Sequence, residues 1–217
     1  MLKKIKKELY FFRRNVLIES GLRNKRIVPF DGAFYEQLNQ TIINGLPVSI
    51  YIRYLQPLSP PGKCYDRSLY MFLCFDNALL VRGDEKDLEF LYGIEEAGHG
   101  WIEIENYVYD PSLMMRFDKD LYYKIYQPSH VFKKNKEQYC KDEICKTFYD
   151  DVRSTTLKDY QPNGRKRIEL LTLIPLVERM AQSNQEFKVV LDRYLASIQY
   201  DSDEIKQELN NKLKMMP

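Results

Sequence analysis

The sequence predicts an α+β fold: a central helix that starts at Cys64 packs on an antiparallel sheet bearing His99 and Asp110, with helices added at both ends. Three observations predict it. From Tyr65 the chain is apolar on several sides at helical spacing (Leu69, Tyr70, Met71, Phe72, Leu73, Phe75), the pattern of a buried helix. Residues 98–111 divide into two short segments around Glu105-Asn106, the pattern of a hairpin with a tight turn. Beyond Pro111 the chain is mostly helical, which places residues 1–135 in a core with an N-terminal helix and residues 136–217 in a helical extension.

Taken in order, residues 2–24 carry Leu2, Ile5, Leu9 and Phe12 at helical spacing among Lys3, Lys4, Lys6, Lys7, Arg13 and Arg14. A helix is expected, its apolar stripe packed on its own domain and its charges solvated. Residues 48–54 (Val48, Ile50, Tyr51, Ile52, Tyr54) read as a strand entered after Asn44-Gly45, with Pro47 near its start. The segment from Pro57 to Gly62 then makes a rigid, non-helical approach to Cys64. Residues 78–82 and 88–92 read as a hairpin feeding the His99 strand. Glu103 and Glu105 alternate with apolar residues and are expected on a solvated face.

Further on, residues 136–151 are expected to be helical and residues 155–165, with Pro162, Asn163 and Gly164, to be a linker. An amphipathic helix over residues 167–180 is interrupted or kinked at Pro175. Ser183-x-x-Glu186 is a capping box that opens a helix with Phe187, Val190, Leu191, Tyr194, Leu195 and Ile198 on one face. A last helix is expected from Asp203.

Composition narrows the classes. The 217 residues suffice for a large core, and a net charge of +2 argues for neither nucleic acid nor membrane as the bulk partner. No apolar run approaches the length of a membrane span, and the short apolar stretch before Arg13-Arg14 is no signal peptide, so a cytoplasmic protein is expected. Cys64, Cys74, Cys140 and Cys145 are too few and too irregularly spaced for a disulfide framework. Cys140 and Cys145 lack a second pair of ligands, so they read as ordinary helix residues, and neither metal nor cofactor is expected.

The chemistry concentrates at three residues. His99 opens the first strand of the hairpin and Asp110 closes the second, which brings the two side by side. A carboxylate beside an imidazole fixes its tautomer and stabilises its protonated form, as a general base requires. Cys64, at a helix start where unpaired N–H groups favour a thiolate and can donate to an oxyanion, is the candidate nucleophile. Cys74, deeper in the same helix, is expected to be core, and His130 structural.

The order Cys64 at a helix start, then His99-Gly100-Trp101-Ile102-Glu103, then Val108-Tyr109-Asp110-Pro111 resembles the transglutaminase-like branch of the papain-like superfamily. That branch shows a strand of the form His-Ala-Trp-Val-Glu followed by a strand ending in Asp-Pro. The resemblance spans residues 45–115 and implies a Cys64-His99-Asp110 triad. It also suggests Gln56 as an oxyanion donor, as an upstream glutamine is in papain-like enzymes, and Trp101 as a wall beside the imidazole or the substrate. Two departures stand out. Gly100 replaces the usual alanine, and Tyr65-Asp66-Arg67 after the cysteine is bulkier than the small residues of the family.

The expected function is cysteine-dependent acyl transfer through a thioester on a protein or peptide substrate, as in a cysteine peptidase, deamidase or transglutaminase. Water and amine remain open as acceptors. The rival reading is a catalytically inactive fold serving as an interaction module, with the basic N-terminal helix and the C-terminal helices binding a protein partner. A weaker third is nucleic-acid or membrane binding through residues 2–26.

Overall fold

The computed structural model describes residues 2–43, 46–53, 64–86, 98–154 and 164–197. In chain order the elements are α1 (Leu2–Arg23), β1 (Ile27–Pro29), α2 (Gly32–Asn39), β2 (Ile42–Ile43), β3 (Leu46–Pro47), α3 (Val48–Arg53), α4 (Cys64–Cys74), β4 (Leu79–Asp84), β5 (Gly98–Ile104), β6 (Tyr107–Asp110), β7 (Met115–Asp118), α5 (Lys119–Tyr126) and β8 (Ser129–Lys134). Then follow α6 (Lys136–Tyr139), a π-helical turn (Cys140–Cys145), α7 (Lys146–Ser154), α8 (Gly164–Ala181) and α9 (Gln185–Ser197). The fold is α+β. It divides into two compact units, residues 1–41 with 48–135, and residues 42–47 with 136–217.

Among the described residues the first unit is built on a six-stranded sheet in the order β1-β7-β6-β5-β4-β8, with every neighbouring pair antiparallel. β5 and β6 form the expected hairpin, with Ile104 opposite Tyr107 and the turn at Glu105-Asn106. Glu105 takes a left-handed conformation there (φ 54°). β5 is buried on both faces. α4 covers one and contributes Leu69, Met71 and Phe72, each fully buried. On the other, Trp101 joins Val81, Val108, Phe117 and the α5 residues Leu121, Tyr122 and Ile125. Each such apolar side chain contributes about 1.5–3 kcal/mol by leaving water, which makes β5 and its two covering helices a rigid frame.

Several expectations are corrected here. Residues 48–53 form helix α3, not a strand: Val48 and Ile52, one helical turn apart, are both fully buried, so packing overrides β propensity. α1 is the expected helix, but its stripe faces outward. Leu9 is 63% and Phe12 71% exposed, while Tyr10 is buried and donates its hydroxyl to the Ile125 carbonyl at 3.2 Å. Glu103 is 1% exposed rather than solvated, and meets Lys119 at 2.7 Å, Lys133 at 2.9 Å and the Tyr123 hydroxyl at 2.8 Å. β4 pairs with β5 and β8, and its expected partner, residues 88–92, lies outside the described residues.

In the second unit Tyr139, Ile144, Phe148, Phe187, Val190, Leu191 and Tyr194 are buried. α8 continues through Pro175 without interruption. Asn184, not Ser183, caps α9, accepting from the Phe187 N–H at 3.0 Å, while Ser183 donates to the Met180 carbonyl. Of the linker expected over residues 155–165, residues 155–163 lie outside the described residues, as does the helix from Asp203, while residues 164 and 165 belong to α8.

Candidate active site

Three separate elements bring the predicted residues together. Cys64 is the first residue of α4, His99 the second of β5, and Asp110 the last of β6. The His99 Nε2 lies 2.8 Å from Asp110 Oδ2. The Cys64 thiol donates to the carbonyl oxygen of Gly98, the residue before His99, at 3.9 Å. With Nε2 engaged by Asp110, Nδ1 is the nitrogen left to face the thiol.

The close approach of α4 to β5 depends on two glycines. A Cβ at Gly100 would stand 2.6 Å from Ser68 Oγ, 2.9 Å from Tyr65 Cδ1 and 3.2 Å from the Tyr65 Cα. A Cβ at Gly98 would collide with the Tyr65 hydroxyl. Tyr65, the residue after Cys64, thus occupies space that a side chain at Gly100 would need.

Asp110 is fully buried and held by more than His99. Its Oδ1 accepts the Ser112 N–H at 2.8 Å and the Leu113 N–H at 3.2 Å. Burial pushes its pKa up, but His99 and these N–H groups outweigh it and hold the carboxyl below its ordinary value. For His99 burial opposes the charged form. The negative charges of Asp110 and Glu85, with the hydrogen bond to Asp110 and the influence of Cys64, overcome this and raise the imidazole well above its ordinary value. The site thus gives the His99 imidazole a high affinity for a proton.

The structure adds residues that sequence reasoning missed. Glu85, just after β4 and buried, lies 4.0 Å from His99 Nε2 and accepts the Tyr122 hydroxyl at 2.5 Å. That hydroxyl also lies 3.1 Å from Asp110 Oδ2. Burial, Glu85 and Asp110 together push the Tyr122 pKa far up, so it remains a proton donor. Arg67, in the first turns of α4, is buried near Cys64 and Asp110; burial lowers its pKa while those two groups oppose the shift. No sequence signal pointed to Glu85 or Tyr122, since neither falls in a motif.

Glu85, His99 and Asp110 also form a cluster of three potential metal ligands whose donor atoms all lie within 4.8 Å. Ligands around a tetrahedral zinc ion with bonds of about 2.0–2.1 Å stand roughly 3.4 Å apart. The 2.8 Å between Nε2 and Oδ2 is a hydrogen-bond distance instead.

Trp101 has no exposed surface, so it cannot line a substrate cleft. Its ring stacks near the imidazole, centroids 6.0 Å apart at 25°, and supports His99 from within the core. Gln56 lies outside the described residues. Cys74 donates to the Tyr70 carbonyl at 3.2 Å inside α4, and His130 pairs with Asp84 at 3.0 Å on the surface. Among the described residues no helix is long and apolar enough to cross a membrane.

No protein-family model matches this chain, and neither a curated protein nor a solved structure matches it significantly.

Proposed function

We propose that this protein is a cysteine-dependent acyl-transfer enzyme with a Cys64-His99-Asp110 triad, acting on a peptide bond or carboxamide. The reading rests on the 2.8 Å hydrogen bond of His99 Nε2 to the buried Asp110 carboxylate, together with the Cys64 sulfur 3.9 Å from the carbonyl of Gly98, the residue before His99. His99 takes the thiol proton, and the Cys64 sulfur attacks the substrate carbonyl. The backbone N–H of Cys64, at the start of α4, is the donor to the developing oxyanion. The imidazolium, steadied by Asp110 and Glu85, then protonates the leaving amine, and a thioester remains on Cys64. Water or an acceptor amine gives its proton to His99, attacks the thioester and releases Cys64.

The test is iodoacetamide labelling of the native protein across pH, with adducts located by mass spectrometry. Cys64 should label at pH 6–7 at least tenfold faster than Cys74, and His99→Ala should abolish that advantage. The outward apolar stripe of α1 favours a second reading, in which the fold serves as a protein-interaction module. A Cys64 that labels no faster than Cys74 decides for that reading.

A further inference from the structure

The second unit holds a feature that is independent of the triad. Cys140 and Cys145 mark the two ends of a π-helical turn, and the Lys146 N–H bonds to the Lys141 carbonyl five residues back. In an α-helix, residues five apart point about 140° away from each other around the axis. Their thiols would then face different surroundings. The wider turn removes that divergence, and the two sulfur atoms lie 3.5 Å apart. π-turns account for well under about 1% of residues and concentrate at functional sites. Here the irregular turn is bounded by the two cysteines that it juxtaposes.

We propose that Cys140 and Cys145 form a redox-active dithiol that a hydroperoxide converts reversibly to a disulfide. Both cysteines are free in the structure, Cys140 buried and Cys145 half-buried, so the sulfur open to a small oxidant is that of Cys145. The proton arrangement fits this division. The hydrogen bond from Cys140 lowers the Cys145 pKa against the effect of burial. The same bond, burial and the charges of Cys145 and Glu137 push Cys140 strongly up, so Cys140 keeps its proton. Cys145 is thus the attacking thiolate and Cys140 the resolving thiol.

The Cys145 thiolate attacks one peroxide oxygen and breaks the O–O bond. It becomes a sulfenic acid, and the departing hydroxide takes up a proton as water. Loss of the Cys145 charge removes what held the Cys140 proton. The Cys140 sulfur then attacks the Cys145 sulfur, its proton leaves with the sulfenic hydroxyl as a second water, and the S–S bond forms. The two thiols lose two electrons and the peroxide gains them. Bond formation asks the sulfurs to close from 3.5 Å to about 2.05 Å, a movement within reach of side-chain rotation. An external dithiol restores the reduced pair by exchange.

The experiment uses the full chain carrying Cys64→Ser, so that the candidate nucleophile does not compete for oxidant. The reduced protein is treated with an equimolar amount of hydrogen peroxide, blocked with N-ethylmaleimide, digested and read by mass spectrometry. The expected product is a Cys140–Cys145 cross-link that forms at least tenfold faster than oxidation of Cys74 and is reversed by dithiothreitol. With Cys140→Ser added, the reaction should stop at a Cys145 sulfenic acid trapped by dimedone, while circular dichroism reports that the helices remain. The proposal is overturned if Cys145 oxidises no faster than Cys74. It is overturned equally if its sulfenic acid persists without cross-linking while Cys140 is intact, or if the cross-link appears only in denaturant.

Discussion

At the scale of single residues, the His99–Asp110 pair and the place of Cys64 at a helix start were legible because these residues sit in local patterns: a cysteine after a proline-rich approach, and a histidine and an aspartate at the ends of one hairpin. Glu85 and Tyr122 were not legible, because register and helix packing, not sequence neighbourhood, bring them to His99. Their arrangement makes a definite prediction. The Tyr122 hydroxyl has one proton for two carboxylates, and its shorter contact is to Glu85. Glu85→Gln keeps the shape and removes a negative charge 4.0 Å from the imidazole. The His99 titration midpoint, followed by NMR with His130 as the other imidazole signal, should move down. Cys64 alkylation at pH 6–7 should slow several-fold, since the imidazolium loses one of its two stabilising charges. An unmoved midpoint would mean that Glu85 carries no charge that His99 feels.

At the scale of elements, the β5–β6 hairpin and the start of α4 at Cys64 follow the sequence pattern closely. Both have strong local signals, a tight turn in one and a nearly all-apolar helix after a proline-rich segment in the other. α3 and the orientation of α1 do not, because tertiary packing decided them: α3 buries Val48 and Ile52, and α1 rests on Tyr10 rather than on Leu9 and Phe12. Glu103 belongs with these, since alternation alone cannot announce that Lys119 and Lys133 will cover its face. The glycines of β5 convert packing into a test. At Gly98 the obstacle is the far end of the Tyr65 side chain, so Gly98→Ala should be largely rescued by Tyr65→Phe. At Gly100 the obstacles include the Ser68 hydroxyl and the Tyr65 backbone, so Gly100→Ala should cost about 1–3 kcal/mol and resist that rescue. Urea unfolding of the four variants checks this, and Gly100→Ala should also slow Cys64 alkylation by moving α4 away from His99.

At the scale of the whole molecule, the buried pair ties global stability to pH. His99 has a raised folded pKa, so its contribution is complete below its ordinary value of 6.5 and fades as pH rises through the folded value. Asp110 has a lowered folded pKa, so its contribution is complete above its ordinary value of 3.8 and fades as pH falls through the folded one. These are two views of one interaction, which is therefore at full strength between about pH 4 and 6.5. Asp110→Asn should cost about 3–5 kcal/mol in that window, because it leaves a buried imidazolium without its closest counter-charge. The difference from the native protein should narrow both in acid and in alkali. Trp101 is the single tryptophan of the chain and is buried in the first unit, with its ring stacked near His99. Its fluorescence in urea therefore reports on the unit that contains the pair. A difference that stayed constant from pH 4 to pH 9 would show that Asp110 stabilises the fold through its bonds to the Ser112 and Leu113 N–H groups, not through His99.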